Sequence, residues 1–399
     1  MNLIYQIIIQ LYGAIIYIAS PFSLKARQWL NGRKKLEDCL PNGITENIIW
    51  FHCASLGEYM QANPLIETLK ERHTEHKILL TFFSPSGYLN TRKNEHIDYK
   101  AYIPLDTPAN AQRFIERTKP KIAIFIKSEL WPNFFKKLHQ NSIPTFVVSA
   151  IYKPQHYLFK FYGKWHLSII KGVSHFFVQD EESKTLLNKQ GIYQVIVSGD
   201  NRYDKVFEDS INSKEIPYIN SFKGSHPLIV AGSTYKIDSK MLINISNRMP
   251  EVKFILAPHE IELCDDLKKY GLLYSQANKD NVKNHSILII DSIGILSQLY
   301  QYADLSYIGG AFGKGLHNIL EAIAFGSYVF FGPKFHKYEE AKEAIRAGIA
   351  QSIKNEYELE TAIKQLIDQK SQSKNDALAF ISEKKGANKM IINAIDDAI

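Results

Sequence analysis

From about residue 47 onward, short runs of β-branched and aromatic residues alternate with amphipathic stretches, and this alternation constrains the fold more than any other feature. Residues 47–54, 77–83, 121–126, 145–149, 175–179 and 194–198 read as strands, and 58–72, 110–118, 130–140 and 181–189 as helices. The strand runs are apolar throughout rather than alternating, so both of their faces are buried, as in a parallel sheet covered by helices. After a softer Ser-, Asn- and Lys-rich stretch at 207–225 the pattern repeats. Strands are expected at 228–231, 253–257, 286–290, 305–308 and 328–331, with helices at 239–248, 261–269, 293–300, 318–325 and beyond Tyr338. The expected class is α/β with two doubly wound, Rossmann-like domains, whose cleft faces the carboxyl ends of the strands. The expected segments are 1–24, a membrane-associated helix; 25–206, a first domain; and 207–399, a second whose closing helices are free to pack back on the first. A chain of 399 residues is long for a single core, which agrees with this division.

Hydrophobic residues make up 45% and charged residues 22%, a globular balance. The net charge of +7 suits an anionic substrate or lipid surface, and no basic run or aromatic signature points to nucleic acid. Cys39, Cys53 and Cys264 are too few and too scattered for a disulfide framework or a zinc cluster. Neither G-x-G-x-x-G after the first strand nor G-x-x-x-x-G-K-[ST] occurs, which disfavours the common dinucleotide and P-loop sites. No His/Asp/Glu spacing argues for a tightly bound metal, and no G-x-S-x-G elbow argues for a serine hydrolase.

Residues 2–24 carry no charge. Their length approaches that of a bilayer span, yet Gln6, Gln10, Gly13 and Tyr17 recur on one helical face, which also fits a helix lying in the headgroup region. Lys25, Arg27, Arg33, Lys34 and Lys35 follow at once. Such a basic collar attracts anionic lipid and keeps the remainder of the chain on the cytoplasmic side.

Three turns carry candidate chemistry. In Ser55-Leu56-Gly57-Glu58, Gly57 permits a tight turn and Glu58 is placed to act as a general base; Ser-x-x-Glu is equally a helix capping box. In Lys127-Ser128-Glu129-Leu130-Trp131-Pro132-Asn133 a charged pair ends a buried strand, and the same residues suit a helix cap. The glycine-rich Gly309–Asn318 stretch, with Gly310, Gly313, Lys314, His317 and Asn318, opens a helix and suits phosphate, while Glu321 can accept from ribose hydroxyls; a ligand-free hinge is the alternative. Gly232-Ser233-Thr234, Pro258-His259-Glu260 and the cation Arg202 also follow strands.

Taken in order, these blocks resemble the bacterial Kdo (3-deoxy-D-manno-octulosonate) transferases of lipopolysaccharide synthesis. The resemblance rests on residues 51–58, Ser84-Pro85-Ser86-Gly87, Glu129-Leu130-Trp131-Pro132-Asn133, Val148-Ser149-Ala150, 198–204, Gly232-Ser233-Thr234, 309–321 and Phe331-Gly332-Pro333. It implies a GT-B fold and inverting transfer of Kdo from CMP-Kdo to a tetra-acylated lipid A precursor, without a cofactor or a bound metal. It places the catalytic glutamate on Glu58 and a second functional glutamate on Glu129. It assigns the acceptor to the first domain, with Ser55, Gly57, Ser86, Gly87 and Lys127 as contacts. The donor falls to the second domain, with Arg202, Gly232, Ser233, Thr234, His259, Gly310, Gly313, His317, Asn318 and Glu321. The helix expected to begin at Asn318 would then stabilise the leaving phosphate. Another GT-B enzyme using a UDP-sugar, a nucleotide-sugar epimerase, or a non-catalytic membrane scaffold of the same fold are the competing readings.

Overall fold

The computed structural model describes residues 2–34, 40, 47–91, 93–367 and 370–399. Lys35, Cys39 and Gly43, where the first domain's pattern was expected to start, lie outside the described residues. The chain divides into two compact units, Met1–Asn201 with Gly386–Ile399, and Arg202–Lys385.

In unit 1, helices α1 (Asn2–Ala19) and α2 (Leu24–Lys34) precede a seven-stranded parallel sheet. The elements that follow are β1 (Ile48–Cys53), α3 (Leu56–Arg72), β2 (Lys77–Phe82), α4 (Pro85–Asn90), β3 (Tyr99–Tyr102), α5 (Pro108–Thr118) and β4 (Pro120–Ile126). Then come α6 (Pro132–Gln140), β5 (Thr145–Ala150), α7 (Lys164–Ile170), β6 (His175–Val178), α8 (Glu181–Asn188) and β7 (Val195–Val197). The spatial order β3-β2-β1-β4-β5-β6-β7 is that of a doubly wound sheet. Every residue of β1 is buried, as an all-apolar central strand requires. Its side chains divide between the faces: Ile48 and Trp50 enter one core, while Ile49, Phe51 and Cys53 enter the other. Cys53 is thus a buried, small apolar side chain.

Unit 2 repeats the plan. Its elements begin with α9 (Arg202–Ile211), α10 (Ile219–Lys223), β8 (Leu228–Thr234), α11 (Lys236–Arg248), β9 (Lys253–Pro258), α12 (Leu263–Leu267), β10 (Leu272–Leu273) and β11 (Ile287–Ile289). They continue with α13 (Leu296–Leu299), β12 (Leu305–Ile308), α14 (Leu320–Ala324), β13 (Tyr328–Phe331), α15 (Glu339–Arg346), β14 (Ala350–Ser352), α16 (Glu356–Leu366) and α17 (Lys370–Lys384). The sheet order is β10-β11-β9-β8-β12-β13-β14, all parallel.

Several expectations need correction. The division falls between Asn201 and Arg202 rather than at 206/207, because Tyr203 and Val206 of α9 are buried in the core of unit 2. The soft stretch at 207–225 is partly helical, being the end of α9 and all of α10. Residues 1–24 belong to unit 1 rather than standing apart from it. The closing helix α18 (Ala387–Asp396) also belongs there, with Ala387, Ile391, Ile392 and Ile395 buried beside Leu65, Ile66 and Leu69 of α3. Gly232-Ser233-Thr234 is the end of strand β8 rather than a turn after it. The helix expected from Asn318 starts at Leu320 and has five residues. Strands β3, β10 and β14 were not anticipated; all three are edge strands, short and only partly buried.

Candidate active site

In a doubly wound sheet the chain leaves two adjacent central strands toward opposite faces, so the loops at their carboxyl ends diverge and open a crevice. In unit 1 those strands are β1 and β4, which pair directly. Ser55–Glu58 follows the first and Lys127–Glu129 the second.

Ser55 is extended and caps α3, its Oγ accepting from the Glu58 amide at 3.4 Å. Glu58 folds back, and its Oε2 accepts from the Ala54 amide at 2.5 Å. The capping role of Ser-x-x-Glu is therefore present, and it is also what holds the Glu58 carboxyl in place. Glu58 is 8% exposed. Burial raises its carboxyl to about 7 and the Glu129 charge adds to the effect, against the Ala54 amide, Lys127 and the Ser55 amide. A helix N-terminus favours the anion, so desolvation wins here over a dipole that opposes it. Glu129 is the more exposed of the two; burial raises its carboxyl as well, and Lys127 opposes. A carboxyl poised near neutrality can take a proton from a substrate at cellular pH.

Lys127 adopts φ +66°, a left-handed conformation unusual for a residue with a side chain, with its amide bonded to the Val148 carbonyl at 2.7 Å. The Ser128 hydroxyl then pins the loop, donating to the Ile151 carbonyl at 2.9 Å and accepting from its amide at 3.0 Å. Gly57 differs from expectation. It lies in the first turn of α3 without a positive φ, and a Cβ there would meet nothing within 4 Å. Its contribution is open space beside Glu58, not turn geometry. Ser84 caps α4, bonded to the Gly87 amide at 3.3 Å and to the Ser86 hydroxyl at 2.9 Å. Ser86 is exposed, whereas Gly87 is buried and packs where a Cβ would strike the Phe82 ring at 2.3 Å.

A second polar group joins α3 to the ends of β5 and β7, from residues that sequence reasoning singled out only within the blocks 148–150 and 198–204 or, for Gln61, not at all. Ser149, at φ +56°, donates to Asn201 Oδ1 at 2.6 Å. Asn201 donates to the Gln61 carbonyl at 3.0 Å, and the Gln61 side chain donates to Asp200 at 3.2 Å. Each residue is ordinary alone; a positive φ at the end of a strand is the mark that sets Ser149 apart. Asp106 is buried too, its carboxyl raised to about 6 by burial against bonds from Tyr5, Asn133 and Phe134.

Helix α1 rests on unit 1 along Tyr5, Gln6, Ile9, Gly13 and Ile16, which are partly covered. The expected stripe is thus rotated: Gln10 and Tyr17 are exposed. Leu3, Ile4, Ile7, Ile8, Leu11, Ile15 and Ile18 are also exposed, and no residue of the helix is fully buried. The collar divides as well. Lys25 and Arg27 are exposed, but the Arg33 guanidinium turns inward over Trp29, 3.5 Å from its ring centroid, and donates to the Ile103 and Phe83 carbonyls.

In unit 2 the corresponding pair is β8 and β12. Ser233 takes φ +52°, and Thr234, buried, accepts from Ser239 at 3.0 Å. His259 lies against His317 with ring centroids 4.5 Å apart and the planes tilted by 35°, and the His317 ring nitrogen Nε2 lies 3.2 Å from the Tyr235 hydroxyl. Burial and the neighbouring His259 lower His317, favouring its neutral form. Gly310, at φ +95°, donates its amide to Asp238 at 3.2 Å, and Gly313 and Gly315 both donate back to the Gly310 carbonyl. Gly232 packs under Tyr300. Asn318 accepts from the Leu320 amide at 3.1 Å and donates to Glu321 at 3.0 Å, so its own side chain occupies the first amide of the short helix α14. Burial raises Glu321. Arg202 is paired with Glu340 at 3.0 Å, a partner not apparent in the sequence.

Among the described residues, His73, Glu75 and His76 bring possible ligand atoms within 4.8 Å of one another. They follow the carboxyl end of α3, whereas Glu58 lies in its first turn.

Residues 25–205 match the family described as 3-deoxy-D-manno-octulosonic-acid transferase (kdotransferase). The chain is 27% identical to the 3-deoxy-D-manno-octulosonic acid transferase of Rickettsia felis, over 89% of this chain and 78% of that protein. It is 29% identical to that of Aquifex aeolicus, over 86% of this chain and 90% of the other. Among solved structures, a putative UDP-N-acetylglucosamine 2-epimerase from Listeria monocytogenes superposes with a TM-score of 0.59 at 13% identity, covering 88% of this chain and 96% of that one. The UDP-GlcNAc 2-epimerase of Neisseria meningitidis gives 0.58 at 15% identity, covering 88% and 100%. These two likenesses concern the fold alone, of the GT-B kind.

Proposed function

The chain belongs to the Kdo transferase family, glycosyltransferases of lipopolysaccharide biosynthesis, and from that premise we propose that it moves Kdo from CMP-Kdo to a tetra-acylated lipid A precursor with inversion. The observation that carries this reading is Glu58: a buried carboxyl, raised to about 7, fixed by its own turn at the crevice of unit 1. Glu58 takes the proton from a glucosamine hydroxyl as that oxygen bonds to the anomeric carbon of Kdo. The bond from that carbon to the CMP phosphate breaks, and CMP leaves with its electron pair. General-base help of this kind is typically worth ~10²–10⁴-fold. Glu129 orients the attacking hydroxyl, and Lys127 limits the repulsion between the two carboxylates. Ser55, Gly57, Ser86 and Gly87 form the acceptor side.

The donor falls to unit 2, where Gly232, Ser233, Thr234, Gly310 and Gly313 present backbone and His259 and His317 present rings. Asn318 and Glu321 suit ribose better than phosphate, since the Asn318 side chain already accepts from the Leu320 amide. Arg202 meets the Kdo carboxylate by exchanging Glu340 for it. No step needs a metal, so chelator-treated enzyme is expected to keep its activity. The outward apolar side of α1, with Lys25 and Arg27 exposed beyond it, supports a helix lying in an anionic lipid surface, on the cytoplasmic face of the inner membrane. Incubation with CMP-Kdo, generated in situ, and the lipid A precursor should give a product heavier by one or more Kdo units, read by mass. Turnover of UDP-sugars without turnover of CMP-Kdo would overturn the reading.

A further inference from the structure

Helix α6 begins three residues after Glu129, and its N-cap, Trp131, makes no capping bond of its own. The cap comes from elsewhere. Asp106, 1% exposed, accepts from the Asn133 amide through Oδ2 and from the Phe134 amide through Oδ1, each at 3.2 Å. The Asn133 side chain also donates to the Asp106 carbonyl at 2.6 Å. The same carboxylate is held from the other side by α1: the Tyr5 hydroxyl donates to Oδ2 at 2.5 Å. Gln6 donates to Asn133 Oδ1 at 3.0 Å, and Gly13 sits so close that a Cβ would stand 3.0 Å from the Leu105 side chain.

The loop that carries Glu129 is therefore fixed at two points. Ser128 ties its start to Ile151, and Asp106 ties its end to α1. We propose that Asp106 is a positioning residue that makes the placement of Glu129 depend on the seating of the N-terminal helix through Tyr5. The contacts need α1 on unit 1, and the other side of α1 is apolar and uncovered, so the helix that meets lipid is wired to the loop that meets the acceptor. Lost seating removes the bond that Tyr5 donates to Asp106 and the one that Gln6 donates to Asn133, which loosens the start of α6, and the Glu129 carboxylate then samples positions away from the reacting hydroxyl. The catalytic part of this inference rests on the role assigned above to Glu129; the mechanical part does not.

Two measurements on the full chain test the two parts separately. Amide hydrogen exchange of Tyr5→Phe should accelerate at Asn133 and Phe134 by about 3- to 10-fold, what the loss of one hydrogen bond is worth, while strand β4 stays protected. Unchanged exchange at both amides overturns the proposal whatever the enzyme's substrate. In steady-state transfer, Tyr5→Phe should lower kcat by a similar factor and leave the donor KM unchanged. Asp106→Asn, which keeps an acceptor oxygen for α6, should fall between the wild type and Asp106→Ala. On a Glu129→Gln background, Tyr5→Phe should have little further effect, since residues acting through one group are not additive. Losses that multiply would mean that Tyr5 only stabilises the fold, and the proposal would fail. A wild-type protein without Kdo transfer would overturn the proposed function instead, with the exchange experiment still deciding this inference.

Discussion

Glu129 raises the proton affinity of Glu58 across the junction of β1 and β4, and Lys127, two residues before Glu129, lowers it. The three side chains follow two paired strands of one sheet, so the balance among them is set by topology. A general base must be unprotonated to work. The ratio kcat/KM should fall about tenfold per pH unit on the acid side of about 7 and level off above it. Glu129→Gln removes a negative neighbour and should move that midpoint to lower pH. Lys127→Met removes a positive one and should move it to higher pH. A midpoint indifferent to both substitutions would disconnect Glu58 from the limb.

The same carboxyl has a consequence for stability. Its folded pKa lies above the unfolded value of about 4.3, so between the two the native state holds the proton more tightly. Stability from this group is therefore present at low pH and lost as pH rises from about 4.3 through about 7. Glu58→Gln keeps an oxygen to accept from Ala54 and carries no charge to bury. At pH 8 it should raise unfolding stability by on the order of 3–4 kcal/mol, with transfer reduced at least a hundredfold, roughly the lower bound for a lost base. Denaturant unfolding at pH 5 and pH 8 checks this: the gain should shrink to about 1 kcal/mol at pH 5.

The alternation of strands and helices was readable because parallel central strands such as β1 are buried on both faces, and buried runs must be apolar. Edge elements lack that mark: β3, Tyr-Lys-Ala-Tyr, mixes a charge with aromatics. Glu58 and Glu129 were legible as residues at the ends of strands, since the chain order alone places them at carboxyl ends. What no local pattern carries is the third dimension. Arg33 has the charge of a lipid-facing collar, yet it turns inward because aromatic rings and free carbonyls await it there. Asn318 has the position of a phosphate-binding helix start, yet its own side chain fills it. Ser149 and Asp106 act through partners dozens of residues away, and no spacing rule links them.

Arg33 offers a test of the inward collar. It donates to Trp29, Ile103 and Phe83 carbonyls and lies against Trp29, while burial holds its guanidinium down at about 9. Arg33→Ala removes three partly buried side-chain bonds at once and should cost about 2–3 kcal/mol of stability. Arg27→Ala, with an exposed guanidinium bonded to the carbonyls of Ser20 and Pro21, should cost less than about 1 kcal/mol. Equal losses would show that Arg33 is an ordinary surface cation.

The outward side of α1 can be probed without disturbing its seat. Ile8 and Ile15 are 55% and 63% exposed and lie away from Tyr5, Gln6 and Gly13, which make the contacts to unit 1. Both side chains are exposed, so Ile8→Glu with Ile15→Glu should leave thermal unfolding nearly unchanged. Burial of one such side chain in lipid is worth about 1.5–3 kcal/mol. The double variant should therefore lose about 100-fold or more in affinity for vesicles containing anionic lipid. Cosedimentation measures this directly. The hydrogen exchange of Asn133 and Phe134 in the detergent-free variant should match the wild type, because Tyr5 and Asp106 are untouched. Full vesicle binding by the variant would mean that the uncovered isoleucines are not the lipid-facing surface.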